Sequence, residues 1–249
     1  MNFDAVFSIK YFLKGSTKVF KTRPGRRLAC VQPPEHTLSP TSSDDSLTSQ
    51  SIRYTVQPRS SLFLLPDPVT CFRSASYNQI QRFNVAPDAS VVILDWLTSG
   101  RKALDEDWAF TRYYSENEVF IGEKRWARDV MLLEAGESQL DSLPKRTLGE
   151  RLSPYSCYAT MLLYGTEVQS VIEKLGATFE AITVFKRRVP EDLIWSFSRV
   201  NFDAAKESAG GAVVRVAGKE TEQVRLWLKE ALRGLEGALG ADVYCRAFL

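Results

Sequence analysis

Three adjacent acids, Asp105, Glu106 and Asp107, stand between Gly100-Arg101 and Trp108. Carboxylates grouped this closely suit acid–base work or the holding of a hard cation. A glycosidase pair, however, needs its carboxyls about 5 to 9 Å apart across a groove. Neighbouring acids alternate in direction on a strand and splay on a turn, so they do not converge. The simpler expectation is an ion pair from Arg101 to Glu106 or Asp105 that holds a turn, with Trp108 packed beneath it.

Other chemistries find less support. Ser60, Ser61, Ser153, Ser156 and Cys157 have no neighbouring base, and neither G-x-S-x-G nor a glycine-rich phosphate loop occurs. The single histidine, His36, lies in a Pro/Ser/Thr-rich stretch, which argues against a triad or a histidine metal cage. Cys30, Cys71, Cys157 and Cys245 are irregularly spaced with no C-x-x-C pair, so reduced thiols are expected rather than a zinc site or a disulfide framework. With 32 basic against 30 acidic residues and no block of like charge, a nucleic-acid surface has no compositional support. The basic cluster Lys18, Lys21, Arg23, Arg26 and Arg27 reads as a solvated loop, and Arg187-Arg188 suits an acidic partner as well as an exposed hairpin end. No apolar run approaches the roughly 18 residues of a membrane span, and no leader pattern frames the first residues, so a cytoplasmic protein is expected.

The elements that must position these groups are mostly strands. Residues 52–56 alternate apolar and polar, and runs at 61–65, 76–85, 90–97, 108–119 and 125–133 are rich in β-branched and aromatic residues between Pro-Asp, Asn and Gly punctuation. The alternation over 76–85 predicts a sheet with one wet face, and strand periodicity leaves open an antiparallel or a solenoid-like arrangement. Residues 32–50 hold too little apolar surface to offset the entropy of ordering them, and predict a disordered insert. After Pro154 come a strand at 158–164, a helix at 166–175 stopped by Gly176, strands at 179–184, 192–200 and 212–216, and a long amphipathic helix at 219–239.

Several separated segments resemble the UreD (UreH) family of urease accessory proteins. Lys14-Gly15-Ser16-Thr17-Lys18-Val19-Phe20 is similar to its Q-G-S/A-T-K-V-Y/F segment, and Leu64 to Phe72 to its L-P-D-P-V-x-x-F segment. Ser76-Tyr77-Asn78-Gln79 follows as the family's aromatic-x-Q continuation. Gly100-Arg101 with Glu106 and Trp108 resembles G-R-x-x-x-G-E-x-W, and Arg128-Asp129 a later R-D.

The resemblance implies one domain over 1–249, mainly β, a β-helix-like stack of sheets with two α-helices in the C-terminal half. It implies no enzyme but a scaffold in urease maturation that binds a UreF-type accessory protein, a UreG-type GTPase and apo-urease. It further implies that no cofactor is bound stably and that nickel is handled in transit. Arg101, Glu106 and Trp108 are then expected to shape a partner surface or an internal passage, with Asp67 and Asp129 near that passage. The chain departs from the family pattern at Asp105, where the family has glycine, and in the insert at 32–50. Upstream of Lys14, the G-G-x-x-x-G-D strands are absent from the thirteen residues present. Such a shortened start is expected to leave a sheet edge unpaired. The competing reading is a β-solenoid carbohydrate-active enzyme using Asp105, Glu106 or Asp107.

Overall fold

The computed structural model describes residues 47–135, 146–182, 191–200 and 210–248 with their side chains, and the backbone of three short strands before them. Those strands are β1 (Ala5–Val6), β2 (Ile9–Lys14) and β3 (Phe20–Thr22). Then follow β4 (Leu47–Val56), β5 (Ser61–Leu64), β6 (Val69–Cys71), β7 (Ser76–Val85), β8 (Ser90–Thr98), β9 (Arg112–Ile121) and β10 (Lys124–Glu134). The C-terminal half adds α1 (Leu148–Leu152), β11 (Cys157–Tyr164), α2 (Gln169–Glu180), β12 (Leu193–Val200), β13 (Gly211–Gly218), α3 (Thr221–Ala231), α4 (Glu236–Leu239) and α5 (Ala241–Ala247).

Two sheets result. The larger has the order β12-β13-β11-β8-β5-β2-β3, with β6 also on β8 and β1 on β6; the smaller has the order β10-β9-β7-β4. Both are mixed, since β4, β7 and β9 run parallel, as do β5 and β8, while β10, β11 and β13 join antiparallel. The protein is mainly β, as expected, but the described strands make neither a closed barrel nor a solenoid, so the β-helix-like stack is not what the structure displays. The expected unpaired edge is also filled in part, because β2 pairs with β5. Leu47 to Gln50 belong to β4 rather than to a disordered insert. The remainder of 32–50 lies outside the described residues, as do His36 and Arg187-Arg188.

Strand β8 is the centre of the molecule and is covered on both faces, which is why its sequence is apolar at successive positions. Val92, Leu94 and Trp96 face the helices, in a core with Val171 and Ile172 of α2 and Val224 and Leu228 of α3. Val91 and Ile93 face the smaller sheet. So does Leu97, in a separate apolar cluster nearer Trp108.

Among the described residues five α-helices stand where two were expected, and glycines account for part of the difference. Gly176 does not stop α2: it lies within the helix, where a Cβ would approach the Phe197 ring to 3.3 Å. The absent side chain lets helix and sheet pack closely. Residues 179–180, expected in a strand, end this helix, and Phe179 packs edge-on against Trp195 at 5.3 Å. The expected helix over 219–239 breaks after Ala231 near Gly234, and Gly240, at φ +83°, separates α4 from α5. Helix α1 opens with Thr147, whose hydroxyl accepts from the Glu150 N–H while Glu150 accepts from the Thr147 N–H. Thr147→Ala should lower stability by about 1 kcal/mol in thermal unfolding, the usual worth of such a cap.

Candidate functional site

The two sheets face each other through three strata. At one end Phe83, Val85, Val119, Ile121, Val91 and Ile93 form an apolar cluster. At the other Tyr77, Tyr113, Leu97, Phe110 and Trp108 form a second. Between them β7, β9 and β10 of one sheet and β8, β11 and β13 of the other contribute polar residues at the same level. Strand pairing places Gln79 beside Ser115 and Gln81 beside Asn117, and Asn117 beside Asp129. On the opposite sheet, Asp95 of β8 lies beside Thr160 of β11, which lies beside Arg215 of β13. Gln79, Gln81, Ser115, Asn117 and Thr160 are all buried.

Asp95 is the hub of this layer. Its carboxylate accepts from Ser115 Oγ at 2.5 Å, from Asn117 Nδ2 at 2.6 Å and from Gln79 Nε2 at 3.3 Å. Burial raises its pKa above the ordinary carboxylate range, and the nearby Asp129 adds to the rise, against the hydrogen bonds that lower it. Tyr77 donates to Gln50 Oε1 at 2.9 Å and to Gln79 Oε1 at 3.3 Å, extending the network to β4. The Cys71 and Cys157 thiols are pushed up to about 12 by burial, so both are thiols at neutral pH.

Asp67 and Asp129 stand at opposite sides of the layer. Pro66 and Pro68 interrupt the strand that pairs with β8, since proline has no N–H for the ladder. As a result β5 ends opposite Ile93, and β6 resumes opposite Leu97. A cavity of about 10 Å³ opens at the gap, lined by Asp67, Pro66, Gln79, Gln81, Asp95 and Trp96. Trp96 Nε1 donates to Pro66 O at 2.8 Å and holds the break in place. On the far side Asp129 accepts from Arg215 Nη2 at 2.7 Å, with the arginine side chain 58% exposed. The Asp129 side chain is only 13% exposed, so Arg215→Ala, which takes away its charged partner, should lower stability by about 1–3 kcal/mol in urea unfolding.

Arg101, Glu106 and Trp108 lie elsewhere, in the turn that follows β8. Arg101 donates through Nε and Nη2 to both oxygens of Glu106, each at 2.7 Å, and its guanidinium stacks 3.9 Å from the Phe72 ring centre. This hydrogen-bonded partner holds the Glu106 carboxyl below its ordinary range. Asp105 adopts the left-handed region at φ +60°, which Asp tolerates better than most residues, and its carbonyl accepts from Arg73 Nη2 at 2.8 Å. Trp108, at φ +54°, donates its N–H to Ser99 O at 2.7 Å, and its indole packs 5.9 Å from both Phe110 and Tyr158. Leu104, 60% exposed, projects at the tip. Asp105 and Asp107 face solvent while Glu106 is buried against Arg101, so the three acids do not converge as a catalytic pair.

The residues expected from sequence thus lie at two separate places, and Asp95, at the centre of one of them, is not among those residues. Asp95 had a visible signal: it is the only charge in the run from Ser90 to Thr98. Among the described residues no cluster of three or more His, Cys, Asp or Glu is placed to hold a metal ion, and no helix is long and apolar enough to cross a membrane.

The chain is thus a mainly β protein of two facing mixed sheets, with a polar layer between them and a clamped, leucine-tipped turn at one end. Its relatives make the class specific. Residues 13–247 match the model of the UreD urease accessory protein family. The chain is 37% identical to Urease accessory protein 4 of Cryptococcus neoformans var. grubii, over 94% of this chain and 72% of that protein. It is 34% identical to Urease accessory protein UreD of Sorangium cellulosum, over 80% of this chain and 58% of that protein. With Urease accessory protein D of Arabidopsis thaliana it shares 31% identity, over 74% of this chain and 65% of that protein. This chain belongs to the UreD family of urease accessory proteins.

Proposed function

We propose that this chain is a non-catalytic scaffold in urease maturation that binds a UreF-type accessory protein, a UreG-type GTPase and apo-urease, and that nickel crosses it in transit. The observation that carries the reading is the polar layer, a stratum of hydrogen-bonding side chains through an otherwise apolar interior in a chain of this family. Such a stratum costs stability that an apolar core would not, so a role in passing a polar cargo accounts for it. Asp67 and Asp129 then mark the two sides of the passage. Arg101, Glu106 and Trp108 build a partner surface, presenting Leu104 with Asp105 and Asp107 on a stiff turn.

The test is co-expression of the tagged chain with the UreF-type and UreG-type proteins and apo-urease of the same organism, followed by pull-down. Recovery of a complex is expected, with Leu104→Asp lowering recovery while leaving the chain folded. No complex from soluble, folded chain would sink the scaffold reading. Unchanged recovery and urease activation in Arg101→Ala would return the turn to a purely structural role.

A further inference from the structure

We propose that the outer face of the smaller sheet is a docking surface for an acidic segment of a partner protein, in which Arg53 and Arg82 take carboxylates and Ile80 and Val130 take apolar side chains. The inference goes beyond the proposed function, since this face shares no residue with the turn or with the layer between the sheets.

Strand alternation builds the face. Every second residue of β4, β7, β9 and β10 points toward the larger sheet, and the residues between them point away from it, exposed or half-buried. Register sets Arg53 beside Arg82, Arg82 beside Glu118 and Glu118 beside Arg128, a charged row across the whole sheet. The face is short of acid. Glu116 accepts from Arg128 at 2.7 Å and Glu134 from Arg112 at 2.8 Å, while Glu118 is shared between Arg125 at 3.3 Å and Arg82 at 3.8 Å. Among the described residues Arg53 has no carboxylate partner. Neighbouring strands lie about 4.8 Å apart, so Arg53 and Arg82 repel each other, and a carboxylate bound between them removes that cost. Arg82 is also held in place, stacked 4.2 Å from the Phe120 ring centre with its side chain still 46% exposed.

The rest of the face selects the occupant. Guanidinium groups grip carboxylate and phosphate in the same two-pronged way, so Arg53 and Arg82 alone do not choose between protein and nucleic acid. A nucleic acid presents phosphates in a continuous array, which the glutamates of this face repel. It also gains nothing from Ile80 and Val130, which stand exposed on either side of Glu116, one position along the strands from the charged row. A protein segment with separated acids and apolar side chains complements both the surplus arginines and the apolar positions.

The test is fluorescence anisotropy of the full chain with a fluorescein-labelled peptide of alternating glutamate and valine, at about 0.15 M salt, where long-range attraction is screened. Saturable binding is expected, and none to a lysine–valine peptide of the same length. Arg53→Gln combined with Arg82→Gln should weaken binding about tenfold or more. Arg53→Gln alone removes a group that leaves no partner behind, should weaken binding in the same direction, and serves if the double variant folds poorly. Lys174→Gln removes an exposed cation from α2, on the far side of the larger sheet, and should leave binding unchanged. No saturable binding of the glutamate peptide, equal binding by wild type and both arginine variants, or an equal loss in Lys174→Gln would overturn the inference. Tighter binding of a single-stranded oligothymidine than of the peptide would overturn it as well, and make the face a nucleic-acid surface.

Discussion

Gly100→Ala is expected to lose about 2–6 kcal/mol of unfolding free energy, the sum of backbone strain and over-packing in a site with no room. Gly100 has φ +131°, a conformation that side chains rarely adopt, and an added Cβ would lie 2.2 Å from the backbone oxygen of Glu106. Backbone on both sides of that contact is held. Ser99 donates its N–H to Ser156 O at 2.7 Å, and the Glu106 N–H donates to Arg101 O at 3.2 Å. Relief would thus mean opening the turn, and with it the Arg101–Glu106 pair and the seat of Trp108. Leu104→Ser makes the contrast, since an exposed tip should stay within about 0.5 kcal/mol of wild type. Urea unfolding of the two variants separates scaffold from surface. A Gly100→Ala chain within about 1 kcal/mol of wild type would mean that the turn does not have this geometry.

Asp95→Asn is expected to remove a pH dependence of stability, measured in chelator-treated protein. The unfolded chain ionises Asp95 near its ordinary pKa of 3.8, while the folded chain holds the proton to higher pH because burial raises the value. Above the unfolded pKa the native state thus binds more protons than the unfolded state, and stability falls as pH rises toward the folded value. The limiting slope for one proton is about 1.4 kcal/mol per pH unit. Carboxyls with lowered values, Glu106, Glu116 and Glu150, act in the opposite direction, but at the acid end, below their ordinary value of 4.5. Subtracting the Asn profile from that of wild type isolates Asp95. The difference should favour the Asn variant increasingly with pH across that interval, and parallel profiles would show that Asp95 is ionised in the fold.

Much of the fold was legible because its cause is local. Strand β7 was read at its true bounds, since turns flank a period-two run. The turn after β8 was legible for the same reason: Gly100, Arg101, Glu106 and Trp108 lie within nine residues, close enough for an arginine to reach a carboxylate. The polar layer was not. In β7 the alternation says only that one face is wet, and in the middle of the strand Gln79 and Gln81 point inward while Ile80 is 39% exposed. Polarity predicts the reverse, and only the opposing carboxylate of Asp95, some sixteen residues on, accounts for it. Helix ends failed similarly: Gly176 reads as a stop, but the neighbouring Phe197 ring gives it a packing role instead.

Residue order thus settled the mainly β character, the clamped turn and the membership of a family whose motifs lie in short segments, because each depends on neighbours within a few bonds of one another. Tertiary structure alone decided that β8 is covered on both faces, that the Pro66–Pro68 break opens a cavity beside Asp95, and that side chains from β7, β8, β9, β10, β11 and β13 meet in one stratum. Those features depend on strand register and sheet stacking. Register brings together residues as far apart as Asp129 and Arg215, which no local pattern connects.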